Sequence, residues 1–297
     1  MLVFRKVTDL QLFLQRQMAK GRQVGFIPTM GALHQGHLSL IRQAQTQSEL
    51  TVCSIFVNPT QFNDPDDLKK YPRPVEQDIQ LLTDVGCNLL FLPSVKEVYP
   101  KGGQPGPKVK LGKLAKVMEG KFRTGHFEGV VQVVHRLLEI VRPHRIFMGQ
   151  KDFQQFRIIG SMLEQLKSSV QLVVCPILRE EDGLAMSSRN RRLTPEHRKR
   201  ATIVSQTLRK ASELLGHKPL PEIQQWALQE LATAKGFRPE YFEIVDGYSL
   251  QSLESFHKKD LVVACTAVWA GDIRLIDNMI WQNEDFLYPK KGSQNIS

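Results

Sequence analysis

Cysteine is scarce: Cys53, Cys87, Cys175 and Cys265 are the four in 297 residues. They stand far apart in apolar strand-like or turn contexts and form no C-x-x-C pair. No disulfide framework is expected, and the thiols read as reduced, mostly buried groups of a cytoplasmic protein. Long apolar runs are missing too. A membrane helix needs ~20 apolar residues; Leu261 to Ala270, among the longest runs, is far shorter and contains Thr266. No membrane association is expected. At the N-terminus, Phe4-Arg5-Lys6 leads into a polar-interrupted pattern unlike a signal peptide. There are no internal repeats. Aromatics are absent where basic residues are densest, from Arg189 through Arg191, Arg192, Arg198, Lys199, Arg200 and Arg209 to Lys210. The net charge of +10 raises the question of nucleic acid. Without interleaved aromatics, however, that stretch offers no stacking platform for single strands. It reads as a site for a small polyanion such as ATP, or as a solvated helix face, and no nucleic-acid partner is expected.

What is present describes an ordinary globular chain. Hydrophobic residues make up 41% and charged residues 24%, and the length allows a large core and two domains. Through about residue 175, strand and helix patterns alternate. Strands are predicted at 23–27, 51–57, 88–92, 145–148 and 170–175, with helical patterns between them such as 75–85, 129–141 and 153–167. Alternation of this kind predicts an α/β fold: a Rossmann-like parallel sheet with helices on both faces. Ligands in such sheets bind beyond the carboxyl ends of the strands. From about Thr194 the pattern changes to two helices, 195–215 and 221–234, then strand-like runs at 241–245, 261–268 and 273–280. A smaller C-terminal α+β domain is expected, with the division at 1–179 and 180–297. Lys101 to Lys108 reads as a loop and Pro289 to Ser297 as a polar tail.

The densest signal is Thr29-Met30-Gly31-Ala32-Leu33-His34-Gln35-Gly36-His37. It follows the strand-like Val24–Ile27, and a helical pattern starts near Leu38. The turn puts two imidazoles where the first N–H groups of a helix are unpaired and point outward, which suits phosphate. Gly36 lets backbone approach closely, and His34 and His37 can donate to oxygens that gain charge in a reaction. The alternative is two surface histidines beside a turn. H-x-G-H is the pattern of nucleotidyl-transferring Rossmann-like enzymes, which include class I aminoacyl-tRNA synthetases.

Four further clusters lie after other predicted strands or near basic stretches. In Phe56-Val57-Asn58-Pro59-Thr60-Gln61-Phe62, the amide of Gln61 can bind hydroxyl or carboxylate oxygens without adding charge, or it simply holds the turn. In Gly149-Gln150-Lys151-Asp152-Phe153-Gln154-Gln155, Gly149 allows close approach and Lys151 offers a point charge for phosphate. Gln155 repeats the amide logic. Asp152 either caps the next helix or bonds a ribose or metal-bound water. Met186-Ser187-Ser188-Arg189-Asn190 presents two hydroxyls and a guanidinium suited to a triphosphate, or forms a simple turn. In Lys121-Phe122-Arg123-Thr124-Gly125-His126, Arg123 or His126 can receive a second carboxylate; a surface loop is the alternative.

Taken in order, these motifs, with Tyr71-Pro72-Arg73 and Arg274-Leu275-Ile276-Asp277-Asn278, closely resemble the pantoate–β-alanine ligase (pantothenate synthetase) family over nearly the whole chain. The resemblance implies a homodimer and a Mg-ATP-dependent ligase that joins pantoate to β-alanine through a pantoyl adenylate, releasing AMP and pyrophosphate. It maps ATP onto Met30, Gly31, Ala32, Leu33, His34, Gln35, Gly36 and His37. The nucleotide set continues with Gly149, Gln150, Lys151, Asp152, Leu178, Met186, Ser187, Ser188 and Arg189. Pantoate falls on Gln61 and Gln155, β-alanine also on Gln61, and the proton donor on His37. The chain departs from the family in Arg191-Arg192 before Leu193, where an aromatic is usual, and in the loop Phe62 to Leu68.

That chemistry suits the residues. Adenylation turns a poor electrophile into a mixed anhydride, and charge grows on the phosphates, where His34, His37, Lys151, Ser187, Ser188 and Arg189 are the donors. The catalytic set is therefore expected to be His37, His34, Lys151 and Arg189. Mg²⁺ would neutralise the β- and γ-oxygens; its protein ligands are not fixed by the motifs, with Asp78 and Asp152 as candidates. No dedicated base for the amine stands out. Met30 and Phe62 supply apolar walls for pantoate's gem-dimethyl group. The competing reading is another H-x-G-H adenylyltransferase acting on a small acid or phosphate, which needs no second acceptor pocket. An RNA-charging synthetase needs an anticodon-binding module for which the C-terminal part leaves little room. A binding protein with a dead nucleotide site would have lost donors that are all present here.

Overall fold

A computed structural model describes residues 1–61, 68, 69, 71–100 and 106–287. The chain forms two compact units, Met1–Gly149 with Gln154–Leu178, and Gln150–Phe153 with the chain from Arg179 onward. The second unit thus begins one residue before the expected division. It also takes Gln150–Phe153, which the sequence pattern assigns to the first unit.

The first unit contains a six-stranded sheet, ordered β1-β4-β3-β2-β5-β6 and parallel throughout. The strands are β1 (Leu2–Phe4), β2 (Val24–Thr29), β3 (Leu50–Ile55), β4 (Leu89–Phe91), β5 (Arg145–Gly149) and β6 (Gln171–Cys175). β3 is buried at every position, as a central parallel strand covered on both faces must be. Helix α1 (Val7–Met18) precedes β2. Helices α2 (Gln35–Gln45), α3 (Val75–Asp84), α4 (Val95–Val98), α5 (Met118–Phe122), α6 (His126–Val141) and α7 (Phe153–Gln165) follow in chain order. Leu38, Ile41 and Ala44 of α2 recur at helical spacing. They pack on Ile27, Cys53 and Phe147, which project from one face of the sheet. Phe26, Val52 and Ile146 alternate to the other face, where α6 packs beside α1. β1 escapes sequence reading because three residues are too few to show a period.

The strand order reverses between β2 and β5, so their carboxyl ends flank the crevice in which such sheets bind ligands. The β2–β5 ladder has registered partners only at Gly25↔Arg145 and Phe26↔Ile146, although β2 runs on to Thr29 and β5 to Gly149. Pro28, in the unladdered part, has no N–H to offer β5. The crevice is thus opened by the sequence of β2 itself.

The second unit carries a three-stranded antiparallel sheet, β7 (Phe237–Asp246), β8 (Val262–Ala270) and β9 (Ile273–Gln282), with β8 central. Its register shifts between Pro239 and Tyr241, as befits a proline on an edge strand. Helices α8 (Pro195–Arg200), α9 (Ile203–Glu213) and α10 (Leu220–Ala232) precede the sheet. Val204, Leu208 and Ala211 of α9 join Ile223, Ala227 and Leu231 of α10 in a core with Phe242, Ala264 and Val268. The single helix expected over 195–215 is two. Ala201 N–H bonds the Arg198 carbonyl and Val204 N–H the Ala201 carbonyl, so the ladder tightens to i→i−3 steps and the axis breaks.

Candidate active site

In the first unit, the turn after β2 is built on two consecutive left-handed residues, Gly31 (φ 84°) and Ala32 (φ 50°). Together they aim the N–H groups of Ala32 and Leu33 the same way, making an anion-binding concavity. The occupant is the buried carboxylate of Asp78, on α3, which accepts from Ala32 N–H at 2.9 Å and Leu33 N–H at 2.7 Å. A Cβ on Gly31 would stand 3.0 Å from that carboxylate. Asp78, a candidate Mg²⁺ ligand by sequence, is thus a clamp on the turn, with both oxygens engaged by backbone.

His34 caps α2: its Nδ1 accepts from Gly36 N–H at 3.1 Å, and His37 Nδ1 accepts from His34 N–H at 3.3 Å. The first N–H groups of the helix therefore do not all point outward as the sequence suggests. Both Nδ1 lone pairs face backbone donors, so in the neutral rings each proton resides on Nε2. The imidazole rings lie 4.1 Å apart, centroid to centroid. The turn thus carries an Nε2–H group on each ring, and its helix-terminus amides are partly taken up by the Nδ1 atoms.

Gln61 is buried at the end of a short 3-10 turn, Pro59–Gln61, beyond β3. Its Nε2 donates to Met30 Sδ at 2.9 Å, which brings two of the sequence-assigned residues together. Asn58 Nδ2 donates to Gln61 Oε1 at 3.3 Å and to the Gly129 carbonyl at 3.2 Å. The Tyr99 hydroxyl donates to Asn58 Oδ1 at 3.2 Å. His126 donates from Nδ1 to the Gln61 carbonyl at 3.0 Å, since a carbonyl oxygen only accepts. His126 is buried by this contact and supports the amide instead of standing in a surface loop. Gln154 is buried and bonds the carbonyls of Leu114 and Val117, while its own oxygen accepts from Glu119 N–H. Its neighbour Gln155 is half-buried and, among the described residues, has no side-chain hydrogen bond. Phe62 and most of the atypical loop lie outside the described residues, as does the polar tail.

In the second unit one pocket is lined by Lys151, Ser187, Arg189, Asn190, Arg274 and Asp277 among others. Ser187 Oγ caps the 3-10 turn Ser188–Arg192 by accepting from Arg189 N–H. Asp277 is buried and paired through both oxygens with Arg179, at 2.7 and 3.1 Å. Burial pushes its carboxyl above the usual range, against the pull of Arg179. Arg274 is bound to Glu240. Lys151 and Arg189, by contrast, form no salt bridge among the described residues, although the charge of Lys151 also acts on the Asp277 carboxyl. A pocket that gathers an ammonium and a guanidinium held in no salt bridge can take an anion.

Asp152 is exposed and accepts no hydrogen bond among the described residues, so it does not cap α7. A Cβ on Gly149 would meet nothing within 4 Å, leaving open space at the end of β5. Leu178 is exposed and Met186 half-buried. Among the described residues no three His, Cys, Asp or Glu side chains group as a metal site. The basic stretch beyond Arg189 is partly neutralised: Arg198 pairs with Glu180 and Asp182, Arg200 with Glu196, and Lys210 with Glu230. Sequence reading missed the parts played by Asp78, Asn58 and the Asp277-Asn278 pair. The last of these stood within a recognised motif but carried no chemistry of its own that pointed to a partner.

A family model described as Pantoate-beta-alanine ligase matches residues 2–280. A pantothenate synthetase of Bacteroides fragilis is 47% identical over 280 residues, covering 94% of this chain and 98% of the relative. One from Porphyromonas gingivalis is 45% identical, covering 95% and 99%. The crystal structure of a pantothenate synthetase from Thermus thermophilus superposes with a TM-score of 0.89 at 38% identity, covering 95% of this chain and 100% of that one. A pantoate-beta-alanine ligase from Francisella tularensis, complexed with beta-gamma ATP and beta-alanine, gives a TM-score of 0.75 at 33% identity, covering 95% and 98%.

Proposed function

Because the chain belongs to the pantoate–β-alanine ligase family, we propose specific roles for its residues in the ATP-dependent joining of pantoate to β-alanine. The chain is an enzyme of this activity; how its residues accomplish it is our reading. Pantoate's carboxylate attacks the α-phosphorus of ATP and expels pyrophosphate. The β-alanine amine then attacks the acyl carbon of the pantoyl adenylate and expels AMP. Lys151, Arg189, Ser187 and Ser188 meet the charge that grows on the phosphates. His34 and His37 add Nε2–H donors, with His37 the proton donor. Met30, Gly31, Ala32, Leu33, Gln35 and Gly36 contact the nucleotide beside the histidines. Gly149, Gln150, Asp152, Leu178 and Met186 complete the nucleotide set.

Gln61 and Gln155 hold pantoate, and Gln61 also serves β-alanine. Gln155 supports this with an uncommitted amide, and Gln61 with one held in place by Asn58. Mg²⁺ fits as an ion carried on nucleotide oxygens and water, since Asp78 is engaged elsewhere and Asp152 is a single exposed carboxylate. When bound, it neutralises phosphate charge. We also place the enzyme in the cytoplasm as a homodimer. Its four buried cysteines, joined by no disulfide, suit a reducing compartment, and its mass in solution checks the dimer.

One observation supports the adenylate mechanism: Lys151, Ser187 and Arg189 line one pocket, and neither cation is held in a salt bridge among the described residues. Labelled pyrophosphate should therefore exchange into ATP with pantoate present and β-alanine rigorously excluded. No label in ATP, from enzyme that forms pantothenate once β-alanine is added, would defeat this mechanism. An acyl-phosphate route would instead release ADP.

A further inference from the structure

The motif Arg274 to Asn278 marks the family resemblance, yet none of the roles above uses its last two residues. Asn278, on β9, is 2% exposed. Its Nδ2 donates to two consecutive carbonyls, of Gln150 at 3.0 Å and of Lys151 at 2.9 Å. Its Oδ1 accepts from Gln150 Nε2 at 3.0 Å. One amide therefore fixes both the backbone and a side chain of the single 3-10 turn Gln150–Asp152. The amide is itself anchored. Asn278 N–H bonds Asp277 Oδ1 at 2.8 Å, and Asp277 is gripped through both oxygens by Arg179. The Asp277 carboxylate lines the same pocket as Lys151.

A lysine ammonium rides on a flexible four-carbon stem and finds phosphate only as well as its backbone is placed. A one-turn 3-10 segment has little intrinsic rigidity. We propose that Asn278 is a positioning residue for Lys151, holding the turn from which the ammonium reaches the nucleotide phosphates. The proposal rests on the phosphate role given to Lys151 above.

A mutant cycle tests it, with pantoate-dependent pyrophosphate exchange and overall turnover as readouts. Asn278→Ala should slow exchange by about tenfold to a hundredfold, the scale of a small misplacement, with the KM for pantoate unchanged. Adding Asn278→Ala to Lys151→Ala should cost nothing more, because the residue acts through the lysine. The isosteric Asn278→Asp loses both donors and should behave like the alanine variant; it carries the cycle if Asn278→Ala does not fold. Losses that multiply in the double variant, wild-type exchange in Asn278→Ala, or failure of both asparagine variants to fold would each overturn the proposal. Full exchange by Lys151→Ala would instead remove the phosphate role of the lysine, and this proposal with it, so the two failures are told apart.

Discussion

At the scale of single residues, the site depends on groups that touch the turn without touching substrate. Asp78 accepts from Ala32 and Leu33 across a gap of more than 40 positions in sequence. The sequence shows an aspartate in an amphipathic helix and nothing of its partner, which is why it reads as a metal candidate. The histidines are legible as a pair, but their tautomers are not, because these follow from which backbone N–H each ring meets. Asp78→Asn tests the clamp. Replacing one oxygen by an amide group sets donor against donor in a buried place, a loss of about 1–3 kcal/mol. The unfolding midpoint should fall and pyrophosphate exchange should slow, while the Mg²⁺ concentration needed for half-maximal rate stays the same. A shifted Mg²⁺ requirement with unchanged stability would restore the aspartate as a metal ligand.

At the scale of elements, the central strands are legible because buried parallel strands appear as unbroken apolar runs, and α2, α3, α6 and α7 because their faces repeat. β1 and the break in the 195–215 helix are not, since each is decided by tertiary partners. The helix–turn contact under Gln61 was equally hidden. Gly129 lies in α6 where glycine ordinarily lowers helix stability, yet a Cβ there would sit 2.5 Å from the Thr60 carbonyl and 2.9 Å from Gln61 Cα. The glycine permits α6 to press on the turn that carries the substrate amide. Gly129→Ala should gain helix propensity and still lose function: the KM for pantoate should rise severalfold while ATP affinity, measured by calorimetry, holds. Unchanged pantoate use would show that the turn adapts and that the close contact is incidental. Gln154 and Gln155 make the same point within one element. They are equivalent in sequence, and only packing against Leu114 and Val117 decides which is structural.

At the scale of the whole molecule, the sequence shows a change of pattern near Thr194, but nothing in it shows the allegiance of Gln150–Phe153 to the second compact unit. Its bonds run to Asn278, far along the chain. The net charge of +10 is the other whole-chain property, and taken alone it argues for a polyanionic partner. The arrangement of charge argues against a polymer. Affinity for a nucleic-acid backbone comes from releasing counterions at many unpaired cations in a row. Here Arg198, Arg200 and Lys210 are already matched with Glu180, Asp182, Glu196 and Glu230. Arg189 stands instead in a pocket with Lys151. Two cations outside any salt bridge in one pocket suit a small anion and give a shallow salt dependence. Mobility-shift titrations with duplex DNA and with single-stranded RNA should therefore show at most weak binding at low ionic strength. That binding should vanish at about 0.15 M salt, where screening acts within ~8 Å. Complexes that survive at that salt and are not displaced by excess ATP would mean that the basic stretch beyond Arg189 serves a polynucleotide, and that the paired arginines open to receive it.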